Sequence, residues 1–260
     1  MRILIVVDET PFYQPNFVNS LIKNLKDKNF EVFGAFVTKI DKKHSIEKYL
    51  ISKFYWLNIY EILILSVKKI FFSILNFLFP TGLSNTFFSV RSTFKKNKII
   101  FFNIVKDINN EKYLNKVREL NPDLIINSNS LIFDSEIIKI PKFGCLNRHT
   151  SLLPSYRGLW PVIHVISNNE KKTGVTIHKI TAKLDGGEIY AQREIDISQN
   201  KNVSSIYNIA FSISSDLTIE AIQNLLNKKR PLNSSYQDSY FTFPTKEQWK
   251  NFRKNGGSLV

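Results

Sequence analysis

Cysteine and methionine are nearly absent: Cys145 and Met1 are the only ones in 260 residues. A single thiol excludes a disulfide framework and a multi-cysteine metal site, and no metal is expected. Glycine and proline, nine of each, are too few for a fibrous or low-complexity chain. No uninterrupted apolar run reaches the eighteen or so residues that a membrane-spanning helix needs. Even the most apolar stretch, Phe54 to Phe79, is broken by Glu61, Lys68 and Lys69. The opening run, Ile3 to Val7, lacks the longer apolar region and small-residue cleavage site of a secretory signal, so a cytoplasmic protein is expected.

Acid is also scarce, with 22 Asp plus Glu against 36 Lys plus Arg and a formal charge of +14. Only 8 of the 36 basic residues are arginine, whereas groove-reading proteins favour its planar fork. The basic runs Lys42-Lys43, Lys95-Lys96 and Lys228-Lys229-Arg230 are scattered, which reads as a solvated lysine surface with no nucleic-acid partner. The segment Lys39 to Lys53 is the best support for the opposite reading, a basic RNA-binding module.

What is present suffices for a sizeable core, at 43% hydrophobic and 13% aromatic. Strands are expected at Met1–Val7, Phe30–Val37, Ile99–Val105 and Asp123–Asn127, with helices at Asn16–Lys28 and Glu111–Leu120 between them. This alternation implies an α/β fold with a doubly wound, mostly parallel sheet. Gly174–Ile180 and Glu188–Ile197 read as further strands, and Ser204–Lys228 as a long helix ended by basic residues and Pro231. The reading divides the chain into a catalytic unit, 1–200, and a carboxyl-terminal helix with a docked aromatic tail, 201–260. Apolar residues from Ile59 to Ile74 recur at three- and four-residue steps, which suits a helix packed in the core or against a second subunit, hence a possible homodimer. A membrane-surface helix is the alternative for this stretch.

Chemistry concentrates in two places. If Gly144 to His149 ends a strand, Asn147 and His149 share one face at its carboxyl end. Downstream, Leu184-Asp185-Gly186-Gly187 puts a carboxylate at the mouth of another strand. An amide, an imidazole and an acid meeting at one mouth can stabilise an oxyanion and move a proton. Each also has a plain explanation: Asn147 could close a turn, His149 could cap a strand and Asp185 could sit in a turn before glycine.

Four ordered motifs then make a specific pattern: Asn-Pro-Asp-Leu-Ile-Ile at 121–126, Asn-Arg-His-Thr-Ser-Leu-Leu-Pro-Ser-Tyr-Arg-Gly at 147–158, Thr-Gly-Val-Thr-Ile-His at 173–178 and Leu-Asp-Gly-Gly-Glu-Ile at 184–189. Here the sequence resembles the formyltetrahydrofolate-dependent formyltransferases, densely from Asn121 to Ile197. The resemblance implies a Rossmann-like core, formyltetrahydrofolate as co-substrate, and Asn147, His149 and Asp185 as the catalytic trio. It further implies that an amine attacks the formyl carbon, with Asn147 and His149 steadying the oxyanion, His149 accepting a proton and Asp185 orienting the histidine. Ser128, Asn129, Ser130, Leu131, Ile132 and Phe133, with Ile180 and Leu184, would line the pterin pocket. His178 matches the family's strand histidine and is expected to be structural, while His44 and His164 lie outside the motifs.

Departures from the family narrow the acceptor. Asp8-Glu9-Thr10-Pro11-Phe12 follows the first strand where the glycinamide ribonucleotide enzymes carry a glycine-rich phosphate-binding turn, which argues against that substrate. Only 63 residues follow Ile197, too few for the tRNA-gripping domain of the methionyl-tRNA enzymes. The chain most resembles a sugar N-formyltransferase acting on a nucleotide-linked amino sugar for surface polysaccharides. Arg157 would face the diphosphate, and Trp160 or Tyr207 would stack on the base. Another small amine, methionyl-tRNA, an inactive RNA-binding module and a membrane-associated scaffold on 54–79 are the alternatives.

Overall fold

The computed structural model describes residues 1–39, 58–84, 86–105 and 107–260. Most of the basic Lys39–Lys53 segment, His44 and the first residues of the 54–79 stretch lie outside them. One seven-stranded sheet organises the molecule. Its strands are β1 (Arg2–Asp8), β2 (Glu31–Lys39), β3 (Phe101–Val105), β4 (Leu124–Ser128), β5 (Cys145–His149), β7 (Lys172–Lys179) and β8 (Ile189–Asp196), a two-residue strand β6 (Arg157–Gly158) lying outside the sheet. The spatial order is β3-β2-β1-β4-β5-β7-β8. The first five strands in that order run parallel, and β7 alone is antiparallel, between β5 and β8. The chain therefore winds outward from β1 to β3 and returns to β4, which puts the switch point between β1 and β4.

The apolar pattern dictates these elements. Ile3 to Val7 and Leu124 to Ile126 are buried on both faces, as parallel strands covered by helices must be. Helix α1 (Gln14–Asp27) presents Phe17, Val18, Leu21, Ile22 and Leu25 to the sheet. It shares that face with α3 (Val90–Lys96) and α7 (Val203–Leu226), while α4 (Glu111–Leu120) and α5 (Ser135–Lys139) cover the other. Helix α4 starts on the Asn110 side chain and ends on Asn121 in the left-handed conformation, ahead of Pro122.

Helix α2 (Ile59–Leu78) departs from the core reading. Its one fully buried residue is Glu61, which pairs with Arg253 and accepts from the Leu259 N–H. Phe72 packs edge-on against Phe12 and Phe88. The other face exposes Ile59, Tyr60, Leu63, Val67, Ile70, Phe71, Ile74, Phe77 and Leu78, with Phe77 at 83%. Among the described residues no helix is long and apolar enough to cross a membrane.

The tail is docked. Strand β9 (Tyr240–Phe241) pairs in parallel with β6. Helix α8 (Lys246–Lys254) opens with a capping box between Thr245 and Gln248 and buries Trp249 and Phe252. Among the four histidines, His164 belongs to this docking: α6 (Pro161–Ser167) carries it against the Thr242 carbonyl and the Phe241 ring.

Candidate active site

On the face covered by α4 and α5, the apolar pattern stops at Cys145 and Ile180. The next side chains on that face are Asn127 on β4, Asn147 and His149 on β5, and His178 on β7. Asn127, Asn147 and His178 are direct cross-strand partners, so the register alone sets them in a row.

The row fixes the Asn147 amide. Asn127 Nδ2 donates to Asn147 Oδ1 at 2.9 Å, and Asn147 Nδ2 lies 3.2 Å from His178 Nε2. His178 Nδ1 is 3.1 Å from the Lys179 carbonyl, an acceptor only, so Nδ1 carries the hydrogen and Nε2 receives the Asn147 N–H. One N–H of Asn147 remains for a ligand.

The same logic settles His149. Its Nε2 is 2.8 Å from the Tyr156 carbonyl, so Nε2 donates and the free lone pair of the neutral ring sits on Nδ1. That atom faces Asp185 Oδ2 at 3.7 Å, while Asp185 Oδ1 is 3.6 Å from His178 Nε2. Burial pushes the His149 imidazole below its ordinary value, and the Asp185 carboxylate only partly restores it. Burial pulls Asp185 upward, but His149 and His178 when protonated, together with the Gly158 N–H, outweigh it and hold the acid well below the usual carboxylate range. The Gly158 N–H donates to Asp185 Oδ2 at 2.9 Å. An ionised carboxylate thus faces His149 Nδ1.

Two glycines make this approach possible. Gly158 has φ +97°, and a Cβ there would meet the Phe241 carbonyl oxygen at 2.1 Å; at Gly187 it would meet the Lys179 carbonyl oxygen at 1.9 Å. Asp185 itself is left-handed, with φ +48°.

The expected pterin-lining residues divide. Leu131 and Phe133 pack into the core, as does part of Ile180. Ser128 is bonded to Gln14 and Arg148, and Ser130 to Asp8. Ile132 and Leu184 are exposed. The Asn129 Nδ2 and Asn127 Oδ1 atoms are buried without a partner.

The residues expected to meet the acceptor are engaged elsewhere. Arg157 donates to Asp238 at 2.7 Å and to the Leu184 carbonyl at 3.0 Å. Trp160 packs edge-on against Phe243 and Trp249. Tyr207 stacks on Tyr13 in the seam of α1 and α7, where burial pushes its hydroxyl up to about 12.

Sequence reasoning passed over Asn127, Arg148 and Asp238. Arg148 points to the opposite face of β5, where its guanidinium lies 3.8 Å over the Phe211 ring and donates to Ser128 and Thr150. Burial lowers it to about 10. Its position between Asn147 and His149 is the signal that alternation gives. At the switch point Asp8 accepts from Ser130, and burial raises its carboxyl to about 6. Glu9 accepts from Val90 and Arg91 N–H groups at the start of α3.

The formyl transferase family model matches residues 89–222. Among curated proteins, methionyl-tRNA formyltransferase of Thermotoga neapolitana is 37% identical over 123 residues, 47% of this chain and 39% of that protein. The bifunctional polymyxin resistance protein ArnA of Wigglesworthia glossinidia brevipalpis is 43% identical over 122 residues, 46% of this chain and 18% of that protein. The matches thus span less than half the length of these relatives. A sugar N-formyltransferase structure from Shewanella sp. FDAARGOS_354 superposes with a TM-score of 0.60 at 19% identity, covering 98% of this chain and 87% of that one. Phosphoribosylglycinamide formyltransferase of Bacillus halodurans gives 0.60 at 18%, covering 88% and 96%. A sugar 3N-formyltransferase solved with dTDP and 5-N-formyl-THF gives 0.58 at 19%, covering 98% and 78%.

Proposed function

Because the chain belongs to the formyl transferase family, we propose that it moves a formyl group from formyltetrahydrofolate to a primary amine, and that the amine sits on a nucleotide-linked amino sugar. The observation that carries the reaction is the convergence of Asn147, His149 and Asp185, with one amide N–H and one imidazole lone pair left open.

The folate fits the donor set. The buried, unpartnered Asn127 Oδ1 and Asn129 Nδ2 offer an acceptor and a donor, and the exposed Ile132 and Leu184 offer apolar cover for a flat ring. When bound, it supplies an activated formyl carbon. Asn147 donates its remaining N–H to the oxygen that gains negative charge as an amine adds. His149 takes the amine proton at Nδ1, Asp185 stabilises the resulting imidazolium, and that proton would pass to the departing tetrahydrofolate nitrogen as its bond to the formyl carbon breaks. Help of this kind contributes about 10²–10⁴-fold.

The acceptor reading rests on two supports. The turn after β1 presents the carboxyls of Asp8 and Glu9, a poor setting for a phosphate. The sugar N-formyltransferases named above share the fold over nearly the whole chain. Formyl transfer to a panel of nucleotide-linked amino sugars, small amines and methionyl-tRNA, with His149→Ala as control, tests both. Turnover on one amino sugar, lost in the control, is expected. Turnover confined to another amine overturns the sugar, and absent folate binding overturns the transferase.

A further inference from the structure

The loop from Ser155 to Leu159 holds two of the three catalytic side chains: the Tyr156 carbonyl fixes His149, and the Gly158 N–H fixes Asp185. The tail in turn holds that loop almost residue by residue. Ser155 Oγ donates to the Gln237 carbonyl at 2.5 Å. Tyr156 N–H donates to Ser239 Oγ, and the Arg157 and Leu159 N–H groups donate to the Ser239 and Phe241 carbonyls, each at 2.9 Å. Ser239 N–H returns a bond to the Pro154 carbonyl at 3.2 Å.

Asp238 ties this clasp to the other catalytic loop. Its Oδ1 accepts from Arg157 Nε at 2.7 Å and its Oδ2 from Lys183 Nζ at 3.3 Å. Arg157 Nη1 also reaches the Leu184 carbonyl at 3.0 Å. Lys183 and Leu184 immediately precede Asp185. One tail carboxylate therefore binds a residue from each of the two loops that bring Asp185 to His149.

We propose that Asp238 is a positioning residue for formyl transfer, clamping the Arg157 and Lys183 loops so that Asp185 stays on His149. The inference rests on the catalytic roles given above. It makes the tail part of the active site, although no tail residue touches the reacting atoms.

The clamp works through Arg157. The Arg157 side chain is 13% exposed and that of Lys183 61%, against the same half-exposed Asp238, so the arginine arm is the less screened of the two. Without Asp238, the Arg157 guanidinium keeps the Leu184 carbonyl and the face of the Tyr240 ring but loses its charged partner, and Lys183 loses its direct tie to the tail. A displacement of about 1 Å at such a site costs on the order of 100-fold in rate.

His149 reports the clamp directly, because its basicity depends on Asp185. The titratable and charged groups that act on His149 are Asp185 from its loop, His178 from β7 and, from the opposite face of its own strand, Arg148. Asp185 and the hydrogen bond to the Tyr156 carbonyl raise it, and both belong to the clasped loops, so loosening them makes His149 titrate at lower pH. The test is an NMR titration of the His149 ring in wild type, Asp238→Ala, Asp238→Glu and Lys183→Met, with formyl transfer and thermal melting measured on the same proteins.

Asp238→Ala is expected to titrate His149 at lower pH and to lose at least about tenfold in kcat. Its melting temperature should stay near wild type, with most of both effects recovered in Asp238→Glu. Lys183→Met should shift the titration the same way by less. An unchanged titration in folded Asp238→Ala overturns the clamp, as does a kcat loss that merely follows the unfolded fraction. The titration needs no acceptor, so a shift in Asp238→Ala beside a wild type that transfers no formyl group removes the functional reading and leaves the clamp standing.

Discussion

Asn127 donates its side-chain amide to Asn147 Oδ1 across adjacent parallel strands, and its own Oδ1 is buried with no partner. A buried acceptor left unmade costs about 1–3 kcal/mol. Holding the Asn147 amide in one of its two orientations is the return for that cost. In Asn127→Leu the orphan acceptor disappears together with the donor to Asn147. The melting temperature should therefore move little while kcat falls about tenfold or more, because losing an oriented oxyanion donor altogether costs roughly 10²–10³-fold. A variant that unfolds readily but keeps wild-type kcat per folded molecule would show that Asn127 only packs.

The pair His149 and Asp185 sets the pH response. In the proposed reaction, transfer needs His149 neutral at Nδ1 and Asp185 ionised. Both groups are held below their ordinary values, so activity should persist to the acid side of an ordinary imidazole. Asp185→Asn removes the charge that supports His149. Its rate plateau should fall by about 10²–10⁴-fold, and the acid limb of its pH–rate profile should move to lower pH. A limb that stays in place would mean that Asp185 does not act on His149.

The sheet and the shared face of Asn147 and His149 are legible in the sequence for one reason, local periodicity, whereas Asp185 joins them only through the resemblance of motifs. Ile3–Val7 and Asp123–Asn127 announce buried strands, and the two-residue spacing of Asn147 and His149 announces a shared face. Asp238, by contrast, is an exposed acid in an irregular tail, and only the pairing of β6 with β9, 83 residues apart in chain position at Arg157 and Tyr240, gives it partners. Asn127 ends an apolar run and owes its role to register with β5, which no single strand encodes. The 59–78 periodicity shows an amphipathic helix correctly but does not say which apolar side chains face the protein. The deciding contact, Glu61 with Arg253, joins residues 192 apart.

Gly158 links backbone strain to catalysis. Its φ of +97° is unfavourable for any residue with a Cβ, and that atom would lie 2.1 Å from the Phe241 carbonyl oxygen. Gly158→Ala should therefore push β9 away and disturb the N–H that holds Asp185. The strained conformation alone costs on the order of 1–3 kcal/mol. Chemical denaturation should register that loss, and kcat should fall further than the folded fraction accounts for. Wild-type stability and rate would contradict the tight β6–β9 approach.

Asp8 supplies a test of linkage. Its carboxyl is raised from 3.8 to about 6, chiefly by burial. The folded state thus binds the proton more tightly than the unfolded chain, and this contribution is complete below pH 3.8 and lost as pH rises through 6. Asp8→Asn cannot ionise and keeps an oxygen for the Ser130 donors. Its stability relative to wild type should increase from pH 5 to pH 8, by up to about 1.4 kcal/mol. A difference independent of pH would mean that Asp8 is better solvated than its surroundings indicate.

The exposed face of α2 is expected to pack against a second copy of the chain. Its nine apolar side chains present on the order of 1,000 Å², beyond the roughly 300–600 Å² of the largest patch on a typical monomer. One partner of a stable interface contributes about 800 Å², so a pair of these faces suffices. The face carries no charge, and Lys68 and Lys69 belong to the rest of the helix. Light scattering should give a dimer for wild type, and Ile70→Glu with Phe77→Glu should give a monomer that still binds folate, since both side chains face solvent. A wild type that stays monomeric at micromolar concentration would leave the face to another occupant, and association with anionic vesicles in place of self-association would identify that occupant as a lipid surface.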